Sequence, residues 1–175
     1  MLRGVNVGGN NKLKMDALRS VFASLQLKNP ATYLQSGNVV FQAAGKDIDG
    51  LAGRIADAID EKFGFRPDTI LRTTSDMRKA VARNPFAGRP DVEPNKLVVH
   101  FHDREPGPAK VRMLRQASEE VHLVGRELYV YYPDGQGKSK LAITTSLDQA
   151  SKAIASTGRN WNTVMKLLEM AEALE

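Results

Sequence analysis

The residues best suited to chemistry open the chain: LRGVNVGGNNKLKM, residues 2–15, places Gly4, Gly8 and Gly9 ahead of Asn10, Asn11, Lys12 and Lys14. A glycine-rich turn running into a helix can offer backbone N–H groups to an anion, and the lysines add charge. Phosphate binding is therefore the chemistry to test first. A P-loop needs G-x-x-x-x-G-K-[ST], and the opening stretch has the wrong glycine spacing. DGQGKSKL, residues 134–141, comes closer with Gly137-Lys138-Ser139, but Tyr132 occupies the position of the first required glycine. The dinucleotide pattern G-x-G-x-x-G is also missing. What survives is a turn that either cradles an anion or simply needs flexible φ angles.

A second stretch, TGRNWNTVMKL, gathers Arg159, Asn160, the only tryptophan Trp161, Asn162 and Thr163 where the last helix should begin. A cation is disfavoured at a helix N-terminus, so Arg159 there suggests an anion between it and the amides. The plainer alternative makes Asn160 the N-cap, Trp161 a core anchor and Arg159 a salt-bridged neighbour. His100 and His102 alternate on a strand and share a face, with His122 on a later strand. Without a carboxylate partner or third ligand in register they are read as a surface or hairpin-facing pair rather than a metal site. Tyr129 and Tyr131 also share a face. The basic-glycine-aromatic signature of RNA-binding ferredoxin-like sheets is absent from GNVVF, and core packing is the favoured role for these rings. No acid/base dyad is recognisable.

These residues need elements to hold them. Met1 to Val7 reads as a strand, and Met15, Leu18, Phe22 and Leu25 put one apolar stripe on a helix. ATYLQSGNVVF reads as a hairpin turning at Ser36-Gly37-Asn38. Leu51, Ile55, Ile59 and Phe63 mark a second helix closed by Gly64, and DTILR a further strand. That order is the ferredoxin-like βαββαβ pattern over residues 1–73. A connecting helix capped by Thr74 or Ser75 and the loop AGRPDVEPN occupy 74–95. The second half, 96–175, repeats the theme. It has a strand in KLVVHFH, a helix from Lys110 to Ala117 with Val111 and Leu114 inward, and a hairpin turning near Gly125. It ends in two helices, one opened by the capping-box form Ser146-Leu147-Asp148-Gln149 and stopped by Gly158, the other carrying Val164, Leu167, Leu168, Ala171 and Leu174. The fold class is thus α+β.

With 175 residues, 42 % of them apolar and 26 % charged, the chain reads as an ordinary soluble globular protein. It has no cysteine, which excludes thiol nucleophiles, disulfides and cysteine-bound metals. No apolar run approaches the ~20 residues of a membrane span, no leader precedes the first pattern, and a cytoplasmic location fits. The net charge of +5, from 25 basic and 20 acidic residues, leans toward polyanionic partners.

Taken together, LRGVNVGG, YLQSGNVVF, GKSKL and GRNWNTVMKL closely resemble, in order and separation, the bacterial family catalogued as domain of unknown function 1697. The resemblance runs from Leu2 to Leu174. It implies a cytoplasmic α+β protein with a ferredoxin-like first half and implies no activity. Similar proteins carry more apolar residues before LRG, so the first strand is expected to be short. They often have proline where Lys14 stands, which would have fixed the start of the first helix.

The resulting expectation is a binding module for a phosphorylated small molecule or a nucleic acid. Gly8, Gly9 and Asn10 supply the turn and its amides, Lys12, Lys138 and Arg159 the charge, and Trp161 a flat face or a wall, with Ser139, Asn160 and Asn162 counted among the ligand-binding residues. The alternatives are a structural or interaction module without a small ligand and, further off, a phosphoester- or nucleotide-handling enzyme. The reading leans away from an enzyme, and implies no cofactor, metal or membrane partner. It leaves the oligomeric state open.

Overall fold

The computed structural model describes residues 1–45, 48–106, 118–139, 141 and 154–175. The expected helix from Lys110 to Ala117 and the capping box at Ser146–Gln149 lie outside the described residues. Two compact units emerge, one of Met1–Thr74 with Leu167–Glu175 and one of Ser75–Lys166.

In the first unit, α1 (Met15–Ser24) buries Leu18 and Phe22 of the expected stripe together with Val21, while Met15 and Leu25 pack half-buried against the same core. Lys14 stands at its N-cap with φ −72° and ψ 136° and gives no side-chain cap, so the helix starts where extended backbone ends. The strands β1 (Lys28–Tyr33) and β2 (Asn38–Gln42) pair antiparallel, with Tyr33 opposite Asn38. Gly37 makes their turn possible: its φ is +74°, and a Cβ there would lie 2.8 Å from Cβ of Leu2. Buried Asn38 braces the same turn by donating to Tyr33 O and Ser36 Oγ, each at 3.0 Å. Helix α2 (Ile48–Phe63) closes at Gly64, whose N–H donates to Asp60 O at 2.8 Å. Ile55 and Ile59 from α2 join Leu2, Val5, Leu13, Leu18 and Phe22 in one core, and Phe22 meets Phe41 edge-on at 5.0 Å. At the far end of the chain Gln42 Nε2 donates to Leu174 O at 2.6 Å.

The strands expected at Met1–Val7 and in DTILR are reduced to a single antiparallel bridge between Leu2 and Thr69. Arg3 N–H donates to Asp68 O at 3.0 Å, Ile70 N–H to Met1 O at 2.9 Å, and Leu2 N–H to Gly37 O at 2.9 Å. The ladder stops there because Gly4 (φ +68°) and Asn6 (φ +55°) turn the chain out of the extended region.

In the second unit, α3 (Thr74–Ala82) precedes a 3₁₀ turn at Pro94–Lys96 and the strands β3 (Leu97–His102), β4 (Glu120–Val124), β5 (Glu127–Tyr131) and β6 (Ser156–Asn160). The sheet is antiparallel in the order β4-β5-β3-β6. In chain order that is second, third, first, fourth, the arrangement of a split βαβ sheet. Gly125, at φ +61°, makes the two-residue turn between β4 and β5. Val98, Leu128, Val130 and Tyr132 form a core cluster with Val121, Leu123 and Leu141 packed against it.

Gly158 does not stop a helix. It lies inside β6, opposite His100, and its neighbours explain the glycine: a Cβ would stand 3.0 Å from His100 Cε1 and 3.3 Å from Val98 Cγ1. The last helix, α4 (Trp161–Glu172), follows β6 directly and buries Val164, Leu167 and Leu168.

Candidate functional site

The opening glycine-rich stretch is a small braced hairpin in the first unit. Val7 and Asn10 form an antiparallel bridge, Asn10 N–H donates to Val7 O at 3.1 Å, and Asn6 N–H donates to Asn11 O at 3.2 Å. Gly8 and Gly9 between them have φ of +59° and +81°, the double left-handed geometry of a type I′ turn. Asn6 is the hub. Its Nδ2 donates to Leu13 O at 2.9 Å and to Gln35 O at 2.8 Å, while its Oδ1 accepts from Leu13 N–H at 2.7 Å. Asn11, at φ +50°, donates from Nδ2 to Gly4 O at 3.0 Å. Asparagine tolerates the left-handed region because its short amide can bond locally, so both residues fix the backbone and tie it together.

This bracing leaves Gly8, Gly9, Asn10, Lys12 and Lys14 exposed. Neither lysine has an ion pair among the described residues, whereas Arg3 pairs with Asp68 at 3.3 Å. The bond from Asn6 to Gln35 O joins the loop to the hairpin turn, where Leu34 sits exposed at φ +56°.

The remaining predicted site residues lie in the second unit. Gly135, at φ +87°, leads into a 3₁₀ turn at Gln136–Lys138, and Lys138 is exposed. Ser139 Oγ donates to the Glu119 carboxylate and accepts from Leu141 N–H at 3.0 Å. Arg159 is not at the helix start. It lies in β6 opposite Val99, only 8 % exposed, donating to Thr157 Oγ1 and Gly158 O at 2.7 Å each. Burial pushes its guanidinium down to about 10. Asn160 caps α4: its Oδ1 accepts from Asn162 N–H at 3.0 Å, and its Nδ2 donates to Asn95 O at 2.7 Å. Trp161 is half-buried at the first position of α4, and Asn162 is exposed.

Three arrangements escaped sequence reasoning. One is the Asn6 hub. Another is a charged cluster on β4: Arg89 Nη1 donates to both Glu120 oxygens at 2.7 and 2.8 Å and Nη2 to Asp91 at 2.6 Å, while His122 Nε2 lies 3.0 Å from Glu120 Oε1. Arg89, then His122, holds the Glu120 carboxyl below its ordinary range. Phe86 packs beneath, edge-on to His122 at 5.2 Å. Residues 89 and 120 are far apart in sequence and no local pattern links them. The third is His100, which with His102 lies buried in the central strand β3 rather than at the surface, and neither of its ring nitrogens is hydrogen-bonded among the described residues. Burial foremost, with the nearby charges of His102 and Arg159, drives its pKa down to about 4. The tyrosines pack: Tyr129 is fully buried and its hydroxyl donates to Ala80 O at 2.6 Å. Among the described residues no group of three His, Asp or Glu side chains could hold a metal ion, and no helix is long and apolar enough to cross a membrane.

The model of a family described as protein of unknown function (DUF1697) matches residues 1–129. The chain belongs to this family. A conserved bacterial protein, SP0830 from Streptococcus pneumoniae, has a solved structure that superposes with a TM-score of 0.77 over 98 % of this chain and 96 % of that one. At 22 % identity the likeness speaks to the fold, which is α+β. No curated protein matches the chain.

Proposed function

We propose that the protein is a binding module for a phosphorylated ligand or a nucleic acid, with the braced Gly8-Gly9 loop as its principal contact. One observation carries this reading. Asn6 and Asn11 direct their amides inward, and the exposed tip presents glycine backbone, Asn10 and Lys12 beside an exposed Val7, with Lys14 nearby. Pre-ordered N–H groups and ammonium groups with no ion pair among the described residues suit phosphate oxygens, because the loop's conformational entropy is already lost before binding.

The second-unit residues contribute less to such a site. Ser139, Arg159 and Asn160 direct polar atoms to partners inside the chain, which favours a second reading, an interaction module with no small ligand. Two experiments separate the readings. A thermal-shift screen of nucleotides and sugar phosphates tests small ligands, since a ligand bound to the native state raises the midpoint with concentration. Affinity for single-stranded and duplex oligonucleotides, measured against salt, tests polymers through the slope of log K on log salt. The proposal requires a stabilising ligand or a salt-dependent affinity that Lys12→Glu weakens. No midpoint shift and no binding at low salt would leave the interaction module.

A further inference from the structure

Among the described residues the two most exposed large apolar side chains are Val7, 63 % accessible, and Leu34, 57 % accessible. Both flank one hydrogen bond of the first unit: Val7 follows Asn6, Leu34 precedes Gln35, and Asn6 Nδ2 donates to Gln35 O at 2.8 Å. Leu34 is also strained. Its φ of +56° lies in the left-handed region, where a leucine is an outlier and glycine or asparagine is at ease. Two asparagines clamp it there, Asn38 donating to Tyr33 O at 3.0 Å and Asn6 to Gln35 O, so the carbonyls on both sides of the leucine are fixed. The core gains little from a side chain left mostly in water. A strained, clamped and exposed leucine points to a contact outside the chain.

The charge beside it is arranged as firmly. Leu13 is buried, and its N–H and C=O both bond to the Asn6 side chain. On either side of it Lys12 and Lys14 are exposed, with no ion pair among the described residues. Two steps of chain separate their Cα atoms by at most about 7 Å, a spacing comparable to that of successive phosphates along a nucleic-acid strand.

We propose that the ligand of this loop is single-stranded nucleic acid, with successive phosphates on the Gly8-Gly9 amides, Lys12 and Lys14 and an unstacked base against Leu34 and Val7. The inference rests on the phosphate-binding reading of the loop and narrows it. A duplex keeps its base faces stacked inside, so against it Leu34 and Val7 would meet charged, hydrated groups. A single strand offers base faces, which gain by leaving water against an aliphatic side chain. A mononucleotide brings only one phosphorylated end to two lysines.

Fluorescence anisotropy of a labelled oligothymidine tests this, with the strand free, annealed to oligodeoxyadenosine, or competed by thymidine monophosphate. The free strand should bind at least about tenfold tighter than the duplex at matched salt. Leu34→Asn suits the left-handed backbone and removes the aliphatic face. It should weaken the free strand about fivefold, leave duplex affinity and the salt slope unchanged, and not lower the urea midpoint. Val7→Ser should act in the same direction. Equal affinity for the two forms, a free strand indifferent to Leu34→Asn, or a monophosphate that competes as well as the strand overturns the inference and leaves the phosphate reading standing. Phosphatidylserine vesicles that capture the chain when oligothymidine does not would give the apolar pair to a lipid surface and overturn it as well. No binding of strand, monophosphate or vesicle at low salt overturns the reading of the loop along with it.

Discussion

Gly158 and His100 face each other across β6 and β3, and the space a Cβ would need at 158 lies 3.0 Å from Cε1 and 3.2 Å from Nδ1 of the imidazole. The ring is buried and hemmed in by its own sheet, so it cannot yield cheaply. Gly158→Ala should lower stability by about 1–3 kcal/mol, as overpacking does, measured by urea denaturation. The cost should shrink in a His100→Ala background. Equal costs in both backgrounds would show that the two side chains do not compete for that volume.

The same ring makes stability depend on pH. Burial holds the His100 pKa at about 4 against the ordinary 6.5, so the folded chain resists a proton that the unfolded chain accepts. Above 6.5 both states are neutral and His100 adds no slope. Between 6.5 and 4 the unfolded state binds the extra proton and stability falls, by about 3 kcal/mol in all; below 4 both states are charged and the loss levels off. Urea midpoints from neutral pH down to pH 4 should show this fall. Subtracting the profile of His100→Leu removes the carboxylate background, and an unchanged profile in that variant would sink the assignment.

Local pattern made the helices α1 and α2 and the hairpin at Gly37 legible, because each rests on spacing and turn chemistry within a few residues. The strand β6 was not legible. Its sequence, Ser-Thr-Gly-Arg-Asn, has no apolar residue, and it extends because β3 supplies its partners. Gly158 carries the same letter whether it ends a helix or makes room for an imidazole. The family resemblance was legible from motifs in combination. The role of Arg159 was not, since burial in a strand and exposure at a helix start share one sequence.

Asn6 offers a test of the loop's architecture. Its side chain makes three hydrogen bonds, two to Leu13 and one to Gln35, from a backbone at φ +55°. Asn6→Ala loses all three and puts a Cβ without local compensation in the left-handed region, so it should cost about 2–3 kcal/mol. Asn6→Gly keeps the backbone freedom and should cost less. Faster hydrogen exchange at the Leu13 amide in both variants would place the loss at this hub; unchanged exchange there would contradict it.

The lysines beside that hub give the sharpest test of the proposed contact. Lys12 and Lys14 are exposed and have no ion pair among the described residues, so reversing either charge should leave the urea midpoint nearly unchanged. Oligonucleotide affinity should respond differently. Each lysine that neutralises a phosphate contributes about −0.9 to the slope of log K against log salt on duplex DNA, so Lys12→Glu should flatten the slope by roughly that amount. The double variant with Lys14→Glu should flatten it further. Asn6→Ala, with both lysines present but the loop loosened, should weaken binding while keeping most of the slope, because it removes pre-ordering and leaves the charge. A slope indifferent to both lysines would move any polyanion contact away from the Gly8-Gly9 loop.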